Sequence, residues 1–171
     1  MTEILVQLIE GSSINNFILS TTWLWPFLEI LHFIGLSLLL GSMLVIDVRL
    51  AGYAQSMNVE RTTTLVPIAA IGFLVNVVTG LLFFLGDPAR YAINIGFQLK
   101  MLLITIAGIN ALLFMVKVKP EMQNWDPYGD TSKTAKAIAY ISLLLWFSVL
   151  LLGRLIPVSY THLTLPTIYS V

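Results

Sequence analysis

Four apolar runs of spanning length, separated by short polar stretches, constrain this chain more than any other feature. They lie at about residues 23–46, 63–85, 96–116 and 135–156. A helix that crosses a bilayer needs roughly 20 mostly apolar residues. Lipid offers backbone N–H and C=O groups no partner, so a lone apolar segment crosses as a helix. The expected fold is therefore all-α, an integral membrane four-helix bundle over residues 23–157. Composition agrees, with 57% of residues hydrophobic and 11% charged, against about 25% charged in a soluble domain. The absence of cysteine excludes disulfides, iron–sulfur ligation and cysteine zinc sites. A net charge of zero makes nucleic acid a poor partner. The lipid bilayer is the expected one.

Residues 1–22 carry no Lys or Arg. Ile4, Leu5, Leu8 and Ile9 share one helical face, which predicts a short N-terminal interfacial helix on the membrane surface. Gly11, Ser12 and Ser13 then break it. The segment lacks the basic start and apolar core of a cleavable signal. Trp23 and Trp25 sit where an aromatic belt anchors the first span, and Pro26 falls in its first turn, where a missing N–H costs nothing.

Orientation follows from the basic residues of the loops. Arg49, Arg61, Lys117, Lys119, Lys133 and Lys136 flank the first and third loops, six against the three of Arg90, Lys100 and Arg154 on the other side. Both termini are expected outside, with the first and third loops cytoplasmic. Pro120, Asp126-Pro127 and Gly129-Asp130 mark the third loop as a solvated connection. Asp87-Pro88 reads as a turn at the outer surface. Residues 158–167, VSYTHLTLPT, are what the DNA GTC TCT TAT ACA CAT CTG ACG CTG CCG ACG encodes, which resembles a transposon-library sequencing adapter. Residues 158–171 are therefore expected to be a non-native tail, and His162 is not counted as a ligand.

Ionisable groups inside the spans carry the functional question. At ~1.5 Å rise per residue, Glu29 lies roughly 9 Å and His32 roughly 14 Å from the outer face. Thr79 and Asn76 of the second span come out at about 9 and 14 Å, Lys100 at roughly 6 Å and Arg154 at about 3 Å. All four spans thus place a polar group in the outer half. A lipid-exposed charge in hydrocarbon costs ~2.5 kcal/mol or more, so such groups usually face inward and pair. Glu29 is expected to pair with Lys100, Arg154 competing, and Asn76 to fix the tautomer of His32. A packing role competes for the same residues. Gly72, Asn76 and Gly80 recur every four residues, Gly35 with Ser42 and Ala107 with Ala111 would do similar packing, and Asn110 reads as an interhelical hydrogen bond. At the other end, Arg49 is expected at the headgroups and Asp47 beside Arg61 or a third-loop lysine.

Glu29-x-x-His32 is half of a carboxylate-bridged di-metal motif, but no second copy exists. As a metal or haem b ligand His32 would need a second axial group, from Met43, Met101 or Met115, or from a second copy of the chain. No phosphate loop, nucleophile elbow or zinc-protease motif occurs, and one histidine with one carboxylate assigns no enzymatic reaction.

The segments LEILHFIGLSLLLGSMLVIDVRLAG, IAAIGFLVNVVTGLLFFLGDPARY, FQLKMLLITIAGINALLF and ISLLLWFSVLLLGRLIP resemble a family of uncharacterised bacterial four-span inner-membrane proteins. That family is distantly similar to the membrane domain of copper-resistance protein D. The resemblance implies a four-helix membrane bundle in a bacterial inner membrane, and no activity. The leading expectation is a redox-associated binding protein. His32 is its ligand or proton-handling group, with Glu29, Asn76 and Thr79 around it and Lys100 and Arg154 facing an anionic group such as a haem propionate. The alternatives are an oligomeric transporter or permeation subunit for a metal ion or small solute, and a structural subunit of a larger membrane complex.

Overall fold

A computed structural model describes residues 2–161. Residues 162–171, with His162 and most of the expected non-native tail, lie outside the described residues. Among those described every regular element is helical. In chain order they are α1 (Thr2–Ile9), α2 (Ser13–Ser20), α3 (Leu24–Leu50), α4 (Val59–Thr62), α5 (Val66–Gly86), α6 (Pro88–Ala92), α7 (Ile95–Leu113), α8 (Lys119–Glu121) and α9 (Lys133–Thr161). A 3₁₀ turn joins α4 to α5, and a π turn over Phe114–Val118 extends α7. The helical stretches built on α3, α5, α7 and α9 are each long and apolar enough to cross a membrane. The chain is a multi-pass membrane protein.

The packing is pairwise. Helix α3 lies along α5, α7 lies along α9, and α3 against α9 joins the two pairs. The α3–α5 seam is close because two glycines face each other. A Cβ added to Gly72 would stand 2.6 Å from the Gly35 carbonyl oxygen and 2.7 Å from the Leu39 nitrogen. A Cβ on Gly35 would stand 2.9 Å from the Gly72 carbonyl oxygen. Only a residue without Cβ admits this approach, which is how small residues hold membrane helices together without a hydrophobic driving force. Gly80, expected to continue the stripe, faces open space. The seam therefore runs from Gly72 toward α3 and does not follow the four-residue repeat.

Residues 2–20 hold two helices, α1 and α2. Ser12 caps α2 by accepting from the Asn15 N–H. Asn15 is buried, and its Nδ2 donates to the carbonyls of Leu85 at 2.7 Å and Gly86 at 3.1 Å. It thereby pairs carbonyls that the last turn of α5 leaves open. The N-terminal segment is thus tied to the protein through a side chain. Asp87 accepts from the Arg90 N–H at 3.2 Å and caps α6, with Pro88 in its first turn, as the turn reading of Asp87-Pro88 expected.

Arg49 departs from expectation. It is fully buried. Its Nε donates to the Met57 carbonyl at 2.6 Å, and its Nη2 donates to the carbonyls of Pro127 at 3.1 Å and Gly129 at 3.0 Å. The first and third loops are therefore drawn over the end of α3. The Val59 N–H also donates to Pro127, and the Thr131 hydroxyl donates to the Leu50 carbonyl. The third loop is docked here and not a free solvated connection. A guanidinium in the last turn of a helix also meets the negative end of the helix dipole. Lys136 pairs with Asp130 at 2.7 Å, and that hydrogen bond holds the Asp130 carboxyl below its ordinary range.

The glycine contact yields a paired prediction. Gly72→Ala should lower resistance to detergent unfolding by about 1–3 kcal/mol, the usual cost of overpacking. Gly80→Ala should leave it unchanged. Equal effects at the two positions would contradict the seam.

Candidate functional site in the His32 half of the bundle

The α3–α5 contact sets the register of the two antiparallel helices. With Gly35 against Gly72 and Asn76, the turn before Gly35 meets the turn after Asn76. That places His32 opposite Thr79. The His32 Nδ1 and the Thr79 hydroxyl oxygen stand 2.7 Å apart. Thr79 is buried, and its hydroxyl also lies 2.7 Å from the Val75 carbonyl, one turn back on α5. A carbonyl only accepts, so the single hydroxyl proton goes to Val75. The hydroxyl oxygen is then left to accept, and the proton between the two side chains belongs to His32 Nδ1. This leaves Nε2 with its lone pair, the form in which a neutral imidazole binds a metal or takes up a proton.

The half-buried ring packs edge-on against Phe83, centroids 5.7 Å apart, and Phe83 in turn meets Trp25 at 5.3 Å. The ring is thus held by Phe83 on one side and by Thr79 at Nδ1. Lys100 lies near enough to act on His32 electrostatically. A Cβ on Gly153 would lie 3.5 Å from the Lys100 Nζ, so the ammonium sits over α9 one residue before Arg154. Arg154 itself is exposed.

Two expected contacts are absent. Glu29 is exposed and makes no ion pair with Lys100, since Lys136–Asp130 is the only pair within 4.0 Å among the described residues. Residues three apart on a helix differ by about 60° around its axis. His32 can therefore enter the seam while Glu29 faces out. Glu29 lies instead near Tyr91 of α6. Burial pushes the Tyr91 phenol up, Arg90 opposing and Asp87 and Glu29 adding to it. Nor does Asn76 orient His32. Its Nδ2 donates to the Gly72 carbonyl at 2.9 Å, and its Oδ1 is buried with no partner. Thr79 takes the role expected of Asn76 because the glycine contact advances the register by one turn.

Among the described residues no group of three or more His, Cys, Asp or Glu side chains converges. Met101 and Met115 are exposed, and Met43 lines cavities at the other end of α3. Asn110 is buried between spans and donates from Nδ2 to the Ile138 carbonyl at 3.1 Å, the interhelical role expected of it. Asp47 meets neither Arg61 nor a lysine. It is buried, hydrogen-bonded by Ser142, and its Oδ2 has no partner. Its position near the end of an apolar run gave no sign of this burial.

Comparison with known proteins finds no family model, no curated relative and no solved structure that matches the chain.

A double-mutant cycle tests the His32–Thr79 bond. His32→Ala and Thr79→Val should couple by about 0.6 kcal/mol and by no more than ~1.7 kcal/mol, the range for side-chain hydrogen bonds inside membranes. Strict additivity in detergent unfolding would contradict the bond.

Proposed function

We propose that the protein is a bacterial inner-membrane binding protein that uses His32 Nε2 to hold a redox cofactor such as haem b in the outer half of the bundle. One observation carries the reading. The Val75–Thr79–His32 chain of hydrogen bonds orients the imidazole and leaves one nitrogen free. A hydrogen bond on the far nitrogen is what orients and strengthens a ligating histidine. An ionisable group held at this depth in a span is a functional candidate by default.

The donor set suits a haem iron in part. A neutral imidazole is an ordinary axial ligand, and Lys100 and Arg154 offer positive charge toward propionates at the same end of the bundle. Glu29 stands at the exposed rim of this face, and Asn76 and Thr79 form its wall in the seam. The second axial ligand has no source among the described residues of one chain. It would come from a second copy or from a partner subunit, so the reading expects a homo-oligomer or a larger membrane complex. Haem would supply one-electron chemistry; the chain's part is to bind and orient it. Both termini outside, with the first and third loops cytoplasmic, is the orientation that the basic residues favour.

The alternative is an oligomeric transporter or permeation subunit for a metal ion or small solute, favoured by the buried carboxylate of Asp47 on the same helix. The visible spectrum of the detergent-purified full chain from haem-replete cells separates the two. The binding reading expects a Soret band, with reduced-minus-oxidised features, that disappears in His32→Ala. A featureless spectrum would overturn the haem assignment, and ion uptake into proteoliposomes would then establish transport.

A further inference from the structure

A second polar site lies roughly 22 Å further along α3, by the helical rise. Asp47 is 3% exposed. It lines two cavities, one of about 70 Å³ and one of about 150 Å³. It is the only charged residue lining either. The Ser142 hydroxyl donates to its carboxyl, and its Oδ2 has no hydrogen-bond partner. Asn110 lines the smaller cavity too. Its Nδ2 is engaged by the Ile138 carbonyl, so its Oδ1 is the end left to accept.

A buried carboxylate with an unpaired oxygen is strongly disfavoured in a span, so its charge must be neutralised. Arg49, the nearest cation on the same helix, makes no ion pair with it; its Nε and Nη2 donate to three backbone carbonyls, and its buried Nη1 has no hydrogen-bond partner. From α7 and α9 the facing polar groups are Asn110 and Ser142, and α5 presents only the apolar Val66. Lys136, at the start of α9, is held by Asp130. Among the described residues no cation forms an ion pair with Asp47. The donors present are Asp47 Oδ2, Ser142 Oγ and Asn110 Oδ1, all oxygen, around a space large enough for water. Oxygen donors with a single negative charge suit a small hard cation and not a soft transition metal.

We propose that Asp47, Ser142 and Asn110 form a binding site for a small monovalent cation, either a proton carried on Asp47 Oδ2 or a sodium ion. It is independent of the His32 reading and stands or falls apart from it.

Infrared spectroscopy of the full chain in proteoliposomes tests this, with the carboxyl carbon of aspartate isotope-labelled. The readout is the C=O band of a protonated aspartic acid. If sodium is the occupant, replacing choline chloride by sodium chloride at fixed pH removes the band. If the proton is the occupant, raising the pH removes it with no dependence on sodium. In either case Asp47→Asn lacks the band. Ser142→Ala keeps the carboxyl and shifts the band, which assigns it should Asp47→Asn fail to fold. An aspartate signal that neither pH nor sodium changes, always acid or always carboxylate, would overturn the proposal.

Discussion

Everything distinctive in this bundle depends on the close approach of Gly35 and Gly72. Each glycine's missing Cβ leaves room for the other's carbonyl, so α3 and α5 meet backbone to backbone. Such a contact fixes distance and register together, because a slip of one residue would bring a side chain into a space that holds none. Register in turn decides which polar groups meet. His32 finds Thr79, and Asn76 is turned back onto its own helix. The packing role and the binding role expected for this stripe are therefore not alternatives. The packing creates the His32–Thr79 geometry on which the proposed binding role rests.

The polar groups of α3 are handled in three ways along its length. Glu29 is exposed near the end that carries Tyr91. His32 is half-buried, satisfied at one nitrogen and open at the other. Arg49 is fully buried, and three carbonyls from two loops accept its hydrogen bonds. Only the last reads as a purely structural clamp, since its protons go to backbone that no helix or sheet would otherwise pair. Asp47, two residues before the clamp, is a buried carboxyl with an oxygen that has no hydrogen-bond partner. The loops at Arg49 fix the end of α3, and the seam with Gly72 fixes it at Gly35, one turn after His32.

Four spanning helices were legible because length and hydrophobicity alone decide them. So was the interhelical role of Asn110, a polar amide alone on an apolar face. The helical rise set His32 level with Asn76 and Thr79 level with Glu29, whereas His32 meets Thr79, one turn along α5. Depth says nothing about rotation, and Asn76, at the level of His32, was the partner expected in place of Thr79. The exposure of Glu29 and the burial of Arg49 were illegible for a shared reason. A charge near the end of an apolar run can turn outward to water or inward to loop carbonyls, and both leave the same pattern in the chain. Helix α2 was missed because it buries only Ile18 and the polar Asn15, too little for an apolar periodicity.

The central claim is that Thr79 holds the proton of His32 on Nδ1 and leaves the Nε2 lone pair free. The most direct measurement is the ¹⁵N spectrum of ring-labelled histidine in the lipid-embedded protein, recorded with His162→Ala so that His32 alone reports. The account predicts a neutral ring with the proton on Nδ1 and a bare Nε2, and loss of that preference in Thr79→Val. A proton on Nε2 in the wild-type chain would contradict it, because the ring would then have no free nitrogen facing away from Thr79.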